Sequence, residues 1–184
     1  STTGTITPKD VSITSLSASD KVYDGSRAAT IASGVISTGV GSETLLISGH
    51  GTFSDKNAGT DKTVTVDDVT TLTKSDGTGD WHNYKLVSTG SMTTSADITQ
   101  AALTVTANAV TKTYDSTLTA SGAGTAGALA GAGDVVNNVG QQAFLDKNAG
   151  TNKIVRASGV TIKDASNADM TGNYLITYMD NTTS

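Results

Sequence analysis

The chain has 184 residues, a net charge of −5, no cysteine, two histidines, and sixteen aspartates against one glutamate, Glu43. It can form neither a disulfide framework nor a cysteine-based zinc site, and without a Lys/Arg cluster it suits neither a phosphate backbone nor an anionic membrane. No apolar run approaches the roughly 18 residues of a spanning helix, the N-terminus lacks a basic and apolar signal pattern, and few groups could act as general bases near neutral pH.

Asp, Thr, Ser and Gly fill much of the chain. They disfavour helix interiors, where their side chains compete for backbone hydrogen bonds or leave the backbone too free, and they suit turns and strand faces. In chain order, period-two alternation marks strands at Val11 and Ile13, Leu45 and Ile47, Val64 and Val66, and Tyr84 and Leu86. It resumes at Leu103 and Val105, Val160 and Ile162, and Tyr174, Ile176 and Tyr178. Turns are expected at Tyr23-Asp24-Gly25, Asn57-Ala58-Gly59 and Asp76-Gly77-Thr78-Gly79-Asp80. The Ala/Gly-rich stretch from Gly122 to Gly140 reads as irregular, with room for a short helical turn near Ala126 to Ala130. Six to eight short strands per copy predict an all-β chain of two tandem, small antiparallel β-sandwich (Ig-like) domains. A β-grasp-like mixed α+β repeat, built around the Ala/Gly-rich crossover, is the alternative.

Two copies are expected because the chain repeats itself. Phe53-Ser54-Asp55-Lys56-Asn57-Ala58-Gly59-Thr60 returns, with one change, as Phe144-Leu145-Asp146-Lys147-Asn148-Ala149-Gly150-Thr151. Tyr23-Asp24 answers Tyr114-Asp115, Asn83-Tyr84 answers Asn173-Tyr174, and Ile6-Thr7 answers Ile98-Thr99, in one order and at nearly one spacing. Such a period is too long for a solenoid rung and fits a small globule. The repeats are assigned to residues 1–98 and 99–184, the second stopping at Thr183-Ser184, short of a final strand. The join near Ile98-Thr99-Gln100 has no Gly- or Ser-rich spacer and is expected to be short and semi-rigid. Each core is expected to be mainly Val, Ile, Leu and Ala, with Tyr23, Phe53, Tyr84 and their second-copy equivalents as the bulky members.

Lys21-Val22-Tyr23-Asp24-Gly25, Asp55 to Lys62, Asn83-Tyr84 and Ala96-Asp97-Ile98-Thr99 resemble the YDG repeat, as do Lys112-Thr113-Tyr114-Asp115, Asp146 to Lys153 and Gly172-Asn173-Tyr174. MBG-type repeats share the general layout. The resemblance implies an extender repeat of a large Gram-negative surface protein: a filamentous, haemagglutinin-like adhesin exported to the cell surface and serving adhesion or biofilm contact. Its implied partners are neighbouring repeats of the parent and a host or matrix glycan or protein, with no nucleic acid, no direct membrane insertion and a monomeric state. One departure is Ser116, which stands where the repeat has glycine after Tyr-Asp, so the second turn is expected to avoid positive φ.

Several residues are candidates for chemistry, each with a plainer structural reading. Asp55, Lys56, Asn57 and Gly59, with Asp146, Lys147, Asn148 and Gly150, gather a carboxylate, an ammonium and an amide beside a glycine. Asn-Ala-Gly is equally a tight turn, with Asn bonding its own backbone and Gly left-handed. An isopeptide bond from Lys56 or Lys147 to an Asp or Asn would need a lysine neutralised by burial. Tyr23 with Asp24, and Tyr114 with Asp115, are a ring and acid that could meet a sugar, or a packed ring followed by a turn. Asp76 with Asp80, and Asp164 with Asp169, lie in oxygen-rich loops that could contribute to a calcium site, although neither has EF-hand spacing. Asp10 and Asp97 near the join share that reading. Trp81-His82, before Asn83-Tyr84, offers a flat aromatic for stacking on a glycan or a hydrophobic plug, while His50 lies in a Gly-rich strand without a metal-ligand partner at useful spacing.

Overall fold

The computed structural model describes residues 1–87 and 90–182, so Thr183-Ser184, where the second repeat stops, lie outside the described residues. The chain forms two compact units: Ser1–Lys21 with Arg27–Ile98, and Val22–Ser26 with Thr99–Ser184. The second unit therefore takes in the Tyr-Asp-Gly turn that sits within the first repeat of the sequence.

The first repeat contributes strands β1 (Lys9–Val11), β2 (Lys21–Val22), β3 (Ala28–Ser37), β4 (Thr44–Phe53), β5 (Gly59–Val66), β6 (Thr73–Asp76), β7 (Tyr84–Leu86) and β8 (Met92–Thr99). The main sheet runs β2-β8-β5-β4-β3, with β6 also on β4. Its antiparallel hairpin β3–β4 pairs Ala28 with Thr52 and Ser37 with Thr44. Along β4 the pleat sends Leu45, Ile47 and Phe53 into the core, where each fully buried aliphatic or aromatic side chain contributes about 1.5–3 kcal/mol of transfer free energy. The glycines beside His50 answer to close packing, since a Cβ at Gly49 would stand 2.4 Å from Leu72 Cδ2.

The second repeat contributes β9 (Ala101–Thr106), β10 (Thr119–Ala120), β11 (Thr125–Ala126), β12 (Val135–Asn138), β13 (Gln141–Phe144), β14 (Val155–Ser158), β15 (Thr161–Lys163) and β16 (Tyr174–Met179). They form sheets β10-β13-β14, β11-β9-β16 and β12-β15. Alternation is strict in β9, where Ala101, Leu103 and Val105 are buried and Ala102, Thr104 and Thr106 exposed.

The all-β architecture expected from composition is the one the chain adopts. Among the described residues the helical segments are three single 3₁₀ turns, Val69–Thr71, Trp81–Asn83 and Thr171–Asn173, which leaves the mixed α+β alternative without a helix. Pairing is not antiparallel throughout. β1 lies parallel to β7 with Lys9 opposite Tyr84, and β9 lies parallel to β16 with Ala101 opposite Tyr174. Each repeat thus sets its first strand beside a late one, and the intervening chain supplies the long crossover that a parallel pair requires.

The Ala/Gly-rich stretch forms no helical turn at Ala126 to Ala130. Thr125–Ala126 pairs with β9 instead, and Gly124 permits the close approach: a Cβ there would stand 2.8 Å from Ala157 Cβ. Two local expectations are corrected. Ser116 does adopt a left-handed backbone, at φ 64, because Asp115 Oδ1 accepts the Thr117 amide at 2.9 Å and fixes the turn. Gly59 and Gly150 do not take that conformation; Asp61 at φ 50 and Asn152 at φ 56 do, two residues further on. The core list also changes, since Tyr114 is 59% exposed whereas Tyr23, Phe53, Tyr84, Phe144 and Tyr174 are buried.

Candidate functional site

The Asp-Lys-Asn-Ala-Gly-Thr loops are built alike. In the first unit Phe53 ends β4 in the core and the chain turns at once: Asp55 Oδ1 accepts the Asn57 amide at 2.8 Å, and Lys62 Nζ donates to both Asp55 oxygens at 2.8 Å. In the second, Asp146 Oδ1 accepts the Asn148 amide at 2.9 Å and Lys153 Nζ pairs with Asp146 Oδ2. The Lys62 ammonium and then the Asn57 amide hold the Asp55 carboxyl below its ordinary pKa, and Lys153 and Asn148 do the same for Asp146. The aspartate carboxylate therefore caps each turn, and a cation seven residues on, Lys62 or Lys153, pairs with it. Lys21 sits 5.7 Å over the Phe53 ring and Lys112 5.6 Å over that of Phe144. Lys147 is exposed and Lys56 half-buried, so neither has the full burial that would neutralise an isopeptide-forming lysine. In the second unit this loop walls an open groove of about 240 Å³ that includes Lys112, Tyr114, Asp146, Lys147 and Lys153. Its Lys112 and Lys153 ammonium groups are already paired, with Asp115 and Asp146.

The two Tyr-Asp turns have different fates. Tyr23 is 1% exposed in the second unit. Its amide donates to Thr99 O at 2.8 Å, and Asp24 O accepts the Ala132 amide at 3.0 Å. The Tyr23 hydroxyl donates to Asp134 Oδ2 at 2.9 Å and also lies 3.5 Å from Met170 Sδ. Tyr174 donates to the same Asp134 oxygen at 2.8 Å, and the two rings meet edge to face with centroids 5.5 Å apart. A carboxylate receiving two phenols is a charge-assisted arrangement. Burial first, then Asp134, pushes the Tyr23 phenol up; Tyr174 is pushed up to about 12, with burial again the largest cause. Gly25 is required at this turn: its φ is +79, and a Cβ would stand 2.6 Å from Ala132 N.

Tyr114-Asp115, by contrast, faces solvent. Asp115 is held down to about 2 by Lys112 at 2.7 Å and then by the Thr117 amide. Asp24 is likewise exposed and accepts the Ser26 amide at 2.8 Å, so both aspartates do start turns.

Trp81 is half-buried, stacked on His82 with ring centroids 3.8 Å apart, and Lys74 Nζ lies 4.7 Å over its ring. Asn83 is exposed while its counterpart Asn173 is buried.

The oxygen-rich loops spend their carboxylates on backbone. Asp76 Oδ1 accepts the Trp81 amide at 2.9 Å, and Asp80 Oδ1 accepts the His82 amide at 2.9 Å and meets His82 Nδ1 at 2.7 Å. Asp164 Oδ1 takes the Ser166 and Ala168 amides, and Asp169 Oδ1 the Thr171 amide. Near the join, Asp97 Oδ1 takes the Asp61 amide at 2.8 Å and Asp10 is exposed. Among the described residues no three His, Cys, Asp or Glu side chains cluster as a metal site would need.

Sequence reasoning missed Asp134, Met170 and Thr99 around Tyr23, and Lys62 and Lys153 as the cations of the loops. The lysines stood inside the quoted motif. Asp134 carried a signal too, because it lies 91 residues after the chain's one glutamate, Glu43.

Two all-β units, each with an Asp-Lys loop of the same build, Asp55–Lys62 and Asp146–Lys153, define a duplicated module. The sequence profile of the YDG domain matches residues 7–94 and again residues 99–183, and the chain belongs to that family twice over. No curated protein and no solved structure matches it.

Proposed function

We propose that the chain is a pair of extender repeats in the stalk of a secreted bacterial cell-surface adhesin, projecting a binding region outward for cell adhesion or biofilm-matrix contact. The role is mechanical and non-enzymatic, and its setting is the extracellular face of the outer membrane. The observation that carries this reading is Tyr23: lying within the first repeat of the sequence, it is 1% exposed in the second unit and bonded to Asp134 there. Chain that precedes the second repeat thus completes its core. A part that works in series under tension gains from such a device, because pulling must extract a buried aromatic as well as unzip strands. A free-standing binding module has no need of it.

The test is a glycan and matrix-protein array probed with the whole chain. No specific binding is expected. Specific binding abolished by Trp81→Ala would replace the extender reading with loop-based recognition.

A further inference from the structure

The first unit repeats the acid and tyrosine frame of the site that holds Tyr23 in the second, yet keeps it open. Glu43 stands where Asp134 does, and Tyr84 donates its hydroxyl to Glu43 Oε2 as Tyr174 donates to Asp134. The turn beneath is the same, with the Glu43 amide on Val40 O at 3.0 Å and the Asp134 amide on Gly131 O at 3.1 Å. The parallel ladders share one register, Lys9 opposite Tyr84 and Ala101 opposite Tyr174, which makes Thr7 the counterpart of Thr99, the residue whose carbonyl receives the Tyr23 amide. Thr7, Val40, Glu43, Asn83 and Tyr84 line an open groove of about 300 Å³.

We propose that this groove is the seat of a Tyr-Asp-Gly turn from a further YDG repeat joined ahead of the first in the same polypeptide. The incoming phenol donates to Glu43, its ring meets the Tyr84 edge, and its amide donates to Thr7 O. Two differences between the units compensate each other. A Cβ at Gly131 would collide with the Asp134 carboxylate and stand 2.8 Å from Tyr23 Cε1, so Val40 in that place requires both the acid and the incoming ring to sit further out. Glu43, one methylene longer than Asp134, has the reach this needs while still accepting from Tyr84. The chemistry recognised is a buried phenol next to a left-handed glycine, which a sugar or an acidic peptide does not supply.

The inference deepens the extender reading and rests on it only for the repeats being in series. The test extends the chain by a second copy of residues 1–98, joined Ile98 to Thr7 so that the junction mirrors Ile98-Thr99. The chain has no cysteine, so Val40→Cys in the original first unit gives a unique thiol at a site 42% exposed in the 184-residue protein. Thiol labelling is expected to slow roughly tenfold or more on extension, as a docked population of about 90% or above requires. Tyr23→Ala in the added copy should restore the original rate. A second readout uses Trp81→Phe in the added copy, leaving one Trp81 to report on the original first unit, whose urea midpoint should rise on extension. Labelling and midpoint both unchanged by the added repeat, or both unaffected by its Tyr23→Ala, would overturn the docking and leave extension by undocked repeats standing. Trp81-dependent glycan binding would instead overturn extension alone.

Discussion

Tyr23→Ala is a substitution in the first repeat whose cost should fall on the second unit. Its ring is 1% exposed, packed edge-on against Tyr174 and close to Met170. Truncating a buried aromatic to alanine costs about 3–5 kcal/mol, counting lost transfer free energy and the residual cavity. A domain of this size has roughly 5–13 kcal/mol in total at 0.05–0.15 kcal/mol per residue, so much of the unit's stability is at stake. Tyr23→Phe isolates the hydroxyl. Asp134 keeps Tyr174 as a donor, so that loss should be near the low end for a bond to a charged group, about 1.5 kcal/mol. Urea unfolding separates the units because the one tryptophan, Trp81, lies in the first. In Tyr23→Ala the Trp81 fluorescence transition should hold its midpoint, while a second transition seen by circular dichroism or tyrosine signals falls by about 3 M or more for an m-value near 1 kcal/mol/M. Tyr114→Ala is the internal control: at 59% exposed it should cost less than about 0.5 kcal/mol. A shift of the Trp81 transition by Tyr23→Ala, or equal costs at Tyr23 and Tyr114, would refute the reasoning.

Gly25→Ala should destabilise the second unit by about 1–3 kcal/mol, since φ is +79 and the new Cβ meets Ala132 N; thermal unfolding in which only the Trp81-reported transition moved would contradict this. Ser116→Gly should stabilise that unit by about 1 kcal/mol by relieving a left-handed serine at φ 64, read as a raised melting temperature. Raised phenols make the second unit sensitive to alkali. Tyr23 and Tyr174 stay protonated when folded and ionise near 10 when unfolded, so their contribution is complete below pH 10 and is lost as pH rises above it, for Tyr174 toward about 12. Urea midpoints of the second transition that stay flat across that window would refute it. At the acid end, Asp55, Asp115 and Asp146 have lowered folded pKa values, so their contribution is present above about 3.8 and fades as pH falls below it, for Asp115 toward about 2; Lys62→Met and Lys153→Met should each flatten that acid limb of the urea midpoints.

The strands were legible because their signal is local. Alternation at Leu103 and Val105, or at Leu45 and Ile47, reports which face each side chain takes, and burial follows it. The duplication was legible for the same reason, since the Asp-Lys-Asn-Ala-Gly-Thr loop appears twice as a string. What could not be read was which copy of a repeated residue is used, and where. Tyr23 and Tyr114 sit in near-identical local sequences, and only the three-dimensional position of Asp134, over a hundred residues from Tyr23, separates a buried ring from an exposed one. The parallel ladders were hidden likewise, because period-two patterning carries no information about strand direction. Ser116 shows the reverse failure, in which propensity argued for one backbone and the hydrogen bonds of Asp115 enforced another.

The two motifs that identify the repeat therefore do different physical work. The Asp-Lys loop is closed within its own unit: Asp55 and Lys62, or Asp146 and Lys153, are seven residues apart and bind each other just past a strand that ends in a buried phenylalanine. Its conservation between the copies needs no partner to explain it. The Tyr-Asp turn is open: in one copy it completes a core to which the rest of its repeat does not belong, and in the other it remains at the surface. A turn that completes a neighbour's core needs a seat there, and the first unit has an open groove at Glu43 and Tyr84. A module that lacks an aromatic where it folds and carries one elsewhere has its stability tied to its neighbours, which is the property expected of a series element. The Tyr23 and Tyr114 pair measures that tie within a single chain: one repeat's tyrosine should be indispensable and the other's, chemically the same, dispensable until another repeat is joined.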